Sequence, residues 1–375
     1  MGSVEGSFMR RGLLAVLLLL TLAVSAGSAR AQSGIRVERD PVLTALFNSY
    51  GDAGRGDRWT GSDSAISIPL PDGRFLWTGG DTFLGTVNKD HSRSPQSFIH
   101  NCYVIQERNG RLGETLYTPN LGSGDKGYIV SEDQDNASWY WLGDGFVEGG
   151  KLRQMMIRVS AQGYGVVADE IATLALPSLR VEKVELSPSP YAPAKGAGAV
   201  DYGEAVVQEK DWTYIYGIEG FAAANPFAKF LHVARARTGH VMEGGWEYWD
   251  GSAWSTVAAT SAQLTDGVGN EMSVVKTKHG YRAIAMRNSL GGEVLMFTAK
   301  HPQGPWSKPT VLYTAPENNA QTVTYNAKEH PEHHGKNWIS VSYNVNASST
   351  NSNGLYSDVR NYRPRFLRVY IPPDL

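Results

Sequence analysis

Five stretches of the chain repeat one pattern of polar and apolar positions: an acidic or polar residue, a β-rich run, a turn signal, and a second β-rich run. The first spans 63–69 and 74–80 across Pro71-Asp72-Gly73, and the second spans 142–148 and 151–159 across Gly149-Gly150. The third spans 204–208 and 212–218 across Glu209-Lys210-Asp211, and the fourth 271–277 and 281–287 across His279-Gly280. The fifth spans 323–327 and 337–344 across a polar loop at 329–336. Further β-rich runs follow most pairs, at 99–106, 230–236, 294–299 and 366–371. Hairpins punctuated by turn residues predict a sandwich, a barrel or a propeller. A spacing of roughly 50–80 residues suits a four-stranded blade with long loops. The expectation is therefore an all-β chain folded as a five-bladed β-propeller. The Pro- and Ala-rich segment 186–198 reads as a loop between blades rather than a linker.

The N-terminus follows a different pattern. Arg10 and Arg11 precede the run 13–24, apolar apart from Thr21, and Ala29-Arg30-Ala31 has the small-x-small form of a cleavage site. Residues 1–31 read as a secretory signal peptide, too short and wrongly flanked for a membrane span. The expected product is a secreted or periplasmic protein with one domain over 32–375. Cys102 is the only cysteine, so no disulfide framework is expected, and its place in a β-rich run makes it a buried small apolar residue. The chain carries a net charge of −2, and no basic stripe is visible. Nucleic acid and anionic membrane are poor partners for such a surface.

Candidate chemistry follows from propeller geometry. The innermost strands begin around a central axis, so their first residues point into a shared funnel. Those residues are Asp63, Asp144, Glu204 and Glu271, with Tyr325 and Asn326 in the fifth blade. Like charges at close range raise one another's pKa, so idle convergence is costly. Glycoside hydrolysis uses such carboxyls, one protonated and one ionised. If the first turn centres on Asp72, Asp63 faces Asp81, and an opposed pair of acids divides into acid and base. An off-centre turn, or Asp81 capping a loop through Thr82, would remove that pairing. The same geometry sets Glu271 against Arg287, as a plain ion pair or a site residue, and Glu204 against Tyr216.

Other polar groups are weaker candidates. Asp144 sits in an Asp-Gly turn sequence or contacts substrate. Asn101 bonds a sugar hydroxyl or satisfies a loop. The cluster His330, His333 and His334 reads chiefly as a solvated loop, with His330 best placed to reach the funnel. The aromatic-rich 246–254 reads as an outer blade strand. Asn136 and Asn346 begin glycosylation-type triplets that arise by chance. No GxSxG, phosphate loop, HExxH or EF-hand pattern is present. No cofactor is called for, although converging carboxylates also suit a structural Ca²⁺.

Several motifs carry a family resemblance. Trp59-Thr-Gly-Ser-Asp63 is followed by Asp72-Gly-Arg-Phe-Leu-Trp-Thr-Gly-Gly-Asp81-Thr-Phe-Leu-Gly. Phe98-Ile-His-Asn101, Trp141-Leu-Gly-Asp-Gly-Phe-Val and Ser340-Val-Ser-Tyr-Asn344 join them. Together, over roughly 46–370, they resemble a family of secreted bacterial proteins long catalogued as a domain of unknown function. That family includes endo-D-arabinanases that cut mycobacterial cell-wall arabinan. The resemblance implies a five-bladed propeller, hydrolysis of a furanose polymer, and Asp63 with Asp81 as the leading catalytic pair. Glu204 would assist, while Asp144, Asn101, Glu271, Tyr325 and His330 would line a polysaccharide cleft. The alternatives are a carbohydrate-binding propeller without catalysis, or a structural propeller whose funnel acids are each neutralised.

Overall fold

The computed structural model describes residues 34–372 apart from 54–55, 57, 95–96, 119–126, 132–136, 191–197 and 223–224. The signal-peptide segment and Asn136 lie outside the described residues. The chain opens with strand β1 (Arg36–Arg39) and helix α1 (Pro41–Asp52). Blade one comprises β2 (Arg58–Pro69), β3 (Phe75–Gly85), β4 (Ser97–Ile99), β5 (Cys102–Gln106) and β6 (Leu112–Leu116). Blade two comprises β7 (Ser138–Glu148), β8 (Lys151–Ser160), β9 (Val166–Ala175) and β10 (Val181–Leu186). Blade three is built on β11 (Val200–Gln208), β12 (Trp212–Ala222) and β13 (Asn225–Arg237). The aromatic-rich segment adds β14 (Glu247–Trp249) and β15 (Trp254–Ser255) outside it, and β16 (Thr265–Asp266) also pairs with β13. Blade four comprises β17 (Met272–Thr277), β18 (Gly280–Met286), β19 (Glu293–Ala299) and β20 (Thr310–Thr314). Blade five comprises β21 (Thr322–Glu329), β22 (Ile339–Ala347) and β23 (Arg365–Tyr370).

Pairing is antiparallel throughout the five sheets. The inner strands touch in the ring order β2, β7, β11, β17, β21 and back to β2, so the sheets are the five blades of a closed β-propeller. Closure uses both chain ends. β1 pairs with β23, from Arg36 opposite Tyr370 to Arg39 opposite Leu367, and so supplies the outer strand of blade five. A strand recruited this way leaves no open seam in the ring.

Helix α1 locks that seam. Asp40 caps it, accepting from Val42 N at 2.8 Å and Leu43 N at 3.2 Å, and also pairs with Arg368 at 2.9 Å. Phe47 packs against Trp59, Trp77 and Phe366 with ring centroids 5.0–5.7 Å apart. Arg363, wholly buried, bridges Asp52 of the helix at 2.9 Å and Thr60 O of blade one at 2.8 Å. The apolar cores lie between neighbouring blades rather than on the axis: Ile68, Leu76, Leu142 and Met156 join blades one and two, and Leu231, Val233, Ala283 and Phe297 join three and four. The axis is left to polar side chains. Cys102 is fully buried, and burial pushes its thiol up to about 12, so it acts as packing. Among the described residues no helix is long and apolar enough to cross a membrane.

Candidate active site

Four of the five inner strands are interrupted by a bulge at the same depth. The ladder slips at Ser62–Ser64 and again at Ser64–Ser67 in β2, at Leu142–Gly145 in β7, at Tyr202–Ala205 in β11 and at Tyr325–Lys328 in β21. Asp63, Asp144, Glu204 and Asn326 sit in these slips. The backbone there is unusual: Ser64, Ala65, Gly203 and Asn326 have φ of 68°, 73°, 122° and 55°. A bulge removes a residue from the ladder and re-aims its side chain, here toward the axis. The fourth strand, β17, reaches the same result by starting one residue after Glu271.

Asp63 stands deep in the channel yet keeps contact with solvent. Its Oδ2 accepts from the Tyr362 hydroxyl at 3.0 Å and the Tyr325 hydroxyl at 3.4 Å. Tyr325 in turn accepts from Asn346 at 3.3 Å. A Cβ at position 80 would collide with Asp63 Oδ1, so Gly80 makes room for this carboxyl. Burial, with the charges of Asp81 and Glu271, raises Asp63 well above the ordinary carboxylic range, and Tyr362 only partly opposes this. Asp81 Oδ1 meets His100 Nδ1 at 2.7 Å and accepts from Trp141 Nε1 at 3.0 Å.

Glu271 bonds Asn326 at 2.6 Å and forms an ion pair with Lys328, whose ammonium also donates to Ser64 O at 3.0 Å. Glu204 is raised well above its usual range by burial and then by Glu271, and its Oε2 is buried without a hydrogen-bond partner. Between blades two and three, Asp201 and Asp169 form a further buried pair. Burial pushes Asp201 up to about 7, and Asp169 accepts from Tyr202 N at 3.1 Å.

Asp144, in β7, feels the Lys328 charge of the same group. It lines a cavity of about 370 Å³ with Ser67, Glu204, Lys328 and Glu332. Its oxygens accept from Gly145 N at 2.8 Å and Val206 N at 2.7 Å, while burial pushes it up to about 7. A carboxyl raised on folding contributes stability that is fully present below its unfolded pKa and is lost as pH rises through the folded one. For Asp144 that window runs from about pH 4 to about 7. The Asp144→Asn variant is therefore expected to melt higher relative to wild type at pH 8 than at pH 5. Thermal melts at the two pH values check this.

The structure corrects several sequence expectations. Asp63 does not stand directly opposite Asp81: Ser62 pairs Thr82 and Ser67 pairs Trp77 as an Asp72-centred turn requires, but the bulge lifts Asp63 out of the ladder between them. The two acids remain electrostatically coupled. Tyr216 faces Ala205, not Glu204. Met272 pairs with Ala285, so Glu271 does not face Arg287; Arg287 forms an ion pair with Glu293 instead. Asn101 is fully buried and saturated, donating to Ile129 O and Tyr140 O at 3.0 Å each and accepting from Ile129 N at 2.8 Å. It clamps blade one to blade two and offers nothing to a sugar. Asn101→Ala should cost about 1–3 kcal/mol for each polar group left unsatisfied. It should leave KM unchanged in the folded fraction, which denaturant titration beside steady-state kinetics would show.

His330 is likewise a core residue. It is bonded to Ser67 at 2.9 Å and Ser342 at 2.7 Å, and its ring lies 4.9 Å from Trp77. Burial drives its pKa well down, as expected of a neutral, satisfied imidazole. His333 stacks on Trp77, while His334 pairs with Glu329 at 3.0 Å and stays exposed with Lys336, so the segment is packed at His330 and His333 and solvated beyond them. Among the described residues no three acid, His or Cys side chains converge to hold a metal ion. Of the predicted residues, Asp63, Asp81, Tyr325, Glu271 and Glu204 belong to one coupled group. Sequence reasoning missed His100, Trp141, Lys328, Tyr362 and Asn346. His100 and Trp141 carried a signal, since both stand in motifs quoted above, and Lys328 and Tyr362 carried none.

The sequence over residues 45–371 matches a family described as a domain of unknown function (DUF5005). No curated protein matches the chain in sequence. Among solved structures, the chain is similar to a presumptive hydrolase from Bacteroides ovatus, at 20% identity and TM-score 0.73, covering 98% of this chain and 96% of that one. It is also similar to an endo-arabinase from Bacteroides thetaiotaomicron, at 10% identity and TM-score 0.49, covering 86% and 96%. A levansucrase from Bacillus subtilis matches at 12% identity and TM-score 0.44, covering 88% and 94%. At 20% identity, the Bacteroides ovatus match establishes a shared fold and no more.

Proposed function

The chain belongs to the DUF5005 family, whose description assigns no chemistry, and from its channel we propose that it is a secreted glycoside hydrolase acting within a furanose polysaccharide such as D-arabinan. One observation carries the reaction class. Asp63 is a solvent-contacting carboxyl whose surroundings hold its proton, beside Asp81, a carboxyl bonded by donors. Glycosidic cleavage needs this division: a protonated acid gives its proton to the leaving oxygen, and a second carboxylate acts at the anomeric carbon, directly or through water. Asp63 takes the first role and Asp81 the second. Glu204 and the Glu271–Lys328 pair set the field around them, and Tyr325 and Tyr362 hold Asp63.

The furanose substrate and the endo mode rest on the resemblance of 59–85 to the arabinanase motifs, and secretion rests on the pattern of 1–31. Product release from D-arabinan, L-arabinan, fructan and xylan by the purified mature protein tests the proposal. Oligosaccharides from D-arabinan are expected. Glycan binding without cleavage would make the protein a carbohydrate-binding propeller instead.

A further inference from the structure

Two side chains meet Asp81 on one carboxylate oxygen. His100 Nδ1 lies 2.7 Å from Oδ1 and Trp141 Nε1 lies 3.0 Å from the same atom. An indole N–H only donates, so Oδ1 accepts from Trp141, and where it accepts from the imidazole as well His100 carries its proton on Nδ1. The imidazole is itself held on two sides. Trp139 stacks on its face, 4.0 Å away at 11°, and Phe98 meets it edge-on at 5.5 Å and 89°. Trp139 and Trp141 come from one strand, β7, and meet at 61°. The clamp on Asp81 thus joins blade one, which carries Asp81 and His100, to blade two.

We infer that His100 and Trp141 are positioning residues that fix the Asp81 carboxylate by Oδ1 and so present Oδ2 as its reacting oxygen. This rests on the hydrolase reading above. A misplacement of about 1 Å at a reacting group costs on the order of 10²-fold in rate, which is the scale of effect such a clamp controls.

Three variants and one spectrum test the assignment. His100→Ala is expected to lower kcat by about 10²-fold with KM little changed. His100→Asn, whose amide N–H can stand in for Nδ1–H, should recover most of that loss, and Trp141→Phe should fall between wild type and His100→Ala. Melting temperatures establish that each variant is folded. Wild-type rates in folded His100→Ala, or no recovery in His100→Asn, would overturn the assignment. ¹⁵N NMR of the imidazole reads the tautomer without any substrate: the Nδ1–H form is expected, and the Nε2–H form would overturn it. A wild-type protein that cuts no glycan defeats the hydrolase reading, and the spectrum then still decides whether His100 donates to Asp81.

Discussion

Asp63→Asn is expected to lower kcat on the cleaved glycan by about 10²–10⁴-fold, the usual worth of a positioned general acid. The amide cannot give up a proton to a leaving oxygen, yet its carbonyl can still accept from Tyr362 and Tyr325, so the site keeps its shape. Stability should move the other way. Burial and the charges of Asp81 and Glu271 make ionising Asp63 in the folded state unfavourable. Its raised pKa therefore contributes stability at low pH that is lost as pH rises through the folded value, and Asn has no such loss. Melting temperature relative to wild type should thus increase with pH while activity falls at every pH. In the wild type, kcat should fall as pH rises through the Asp63 pKa, because the acid is then empty. Full activity in a folded Asp63→Asn protein would remove Asp63 from the chemistry and bring Glu204 forward.

Lys328→Met is expected to destabilise the fold by about 3 kcal/mol, the lower end of the cost of removing one partner from a buried ion pair. Lys328 is 1% exposed, while Glu271 retains 19%, which places the effect at that end of the range. The ammonium also lowers the pKa of Asp63, Asp144 and Glu204. Without it Asp63 holds its proton more tightly, so the alkaline limb of the rate profile should move to higher pH in whatever fraction folds. Glu271→Gln introduced beside Lys328→Met removes the uncompensated charge and should restore much of the stability. Denaturant titration of the two single variants and the double variant measures the coupling. Independent, additive losses would show that the pair contributes little.

The fold was legible where its signals are local. Pro71-Asp72-Gly73 and Gly149-Gly150 mark turns by their own chemistry, and the strands on either side fall where they should. Register was less secure. The β11–β12 and β17–β18 hairpins differ by one residue from the expected centring, and one residue changes every partner along the ladder. That single step gave Tyr216 to Ala205 and freed Glu271 from Arg287. The bulges of β2 and β21 left no mark in the apolar pattern, because the positive φ there falls on Ser64, Ala65 and Asn326 rather than on glycines that would have flagged it. Sequence left Asn101 between a sugar ligand and a satisfied amide because its acceptors, on Ile129 and Tyr140, are distant in sequence. Lys328 and Tyr362 were invisible for the same reason: each meets the first blade only because the ring closes.

The channel acids, with Asp63 and Asp81 at their head, are proposed to hydrolyse a furanose polymer. The measurement that tests it most directly is release of new reducing ends from purified D-arabinan, compared between the mature wild-type protein and folded Asp63→Asn and Asp81→Asn variants. Oligosaccharides of mixed length from the wild type, and a near-complete loss in both variants, are the predicted result. Equal release by all three proteins, or none by the wild type from any glycan tested, would contradict the account.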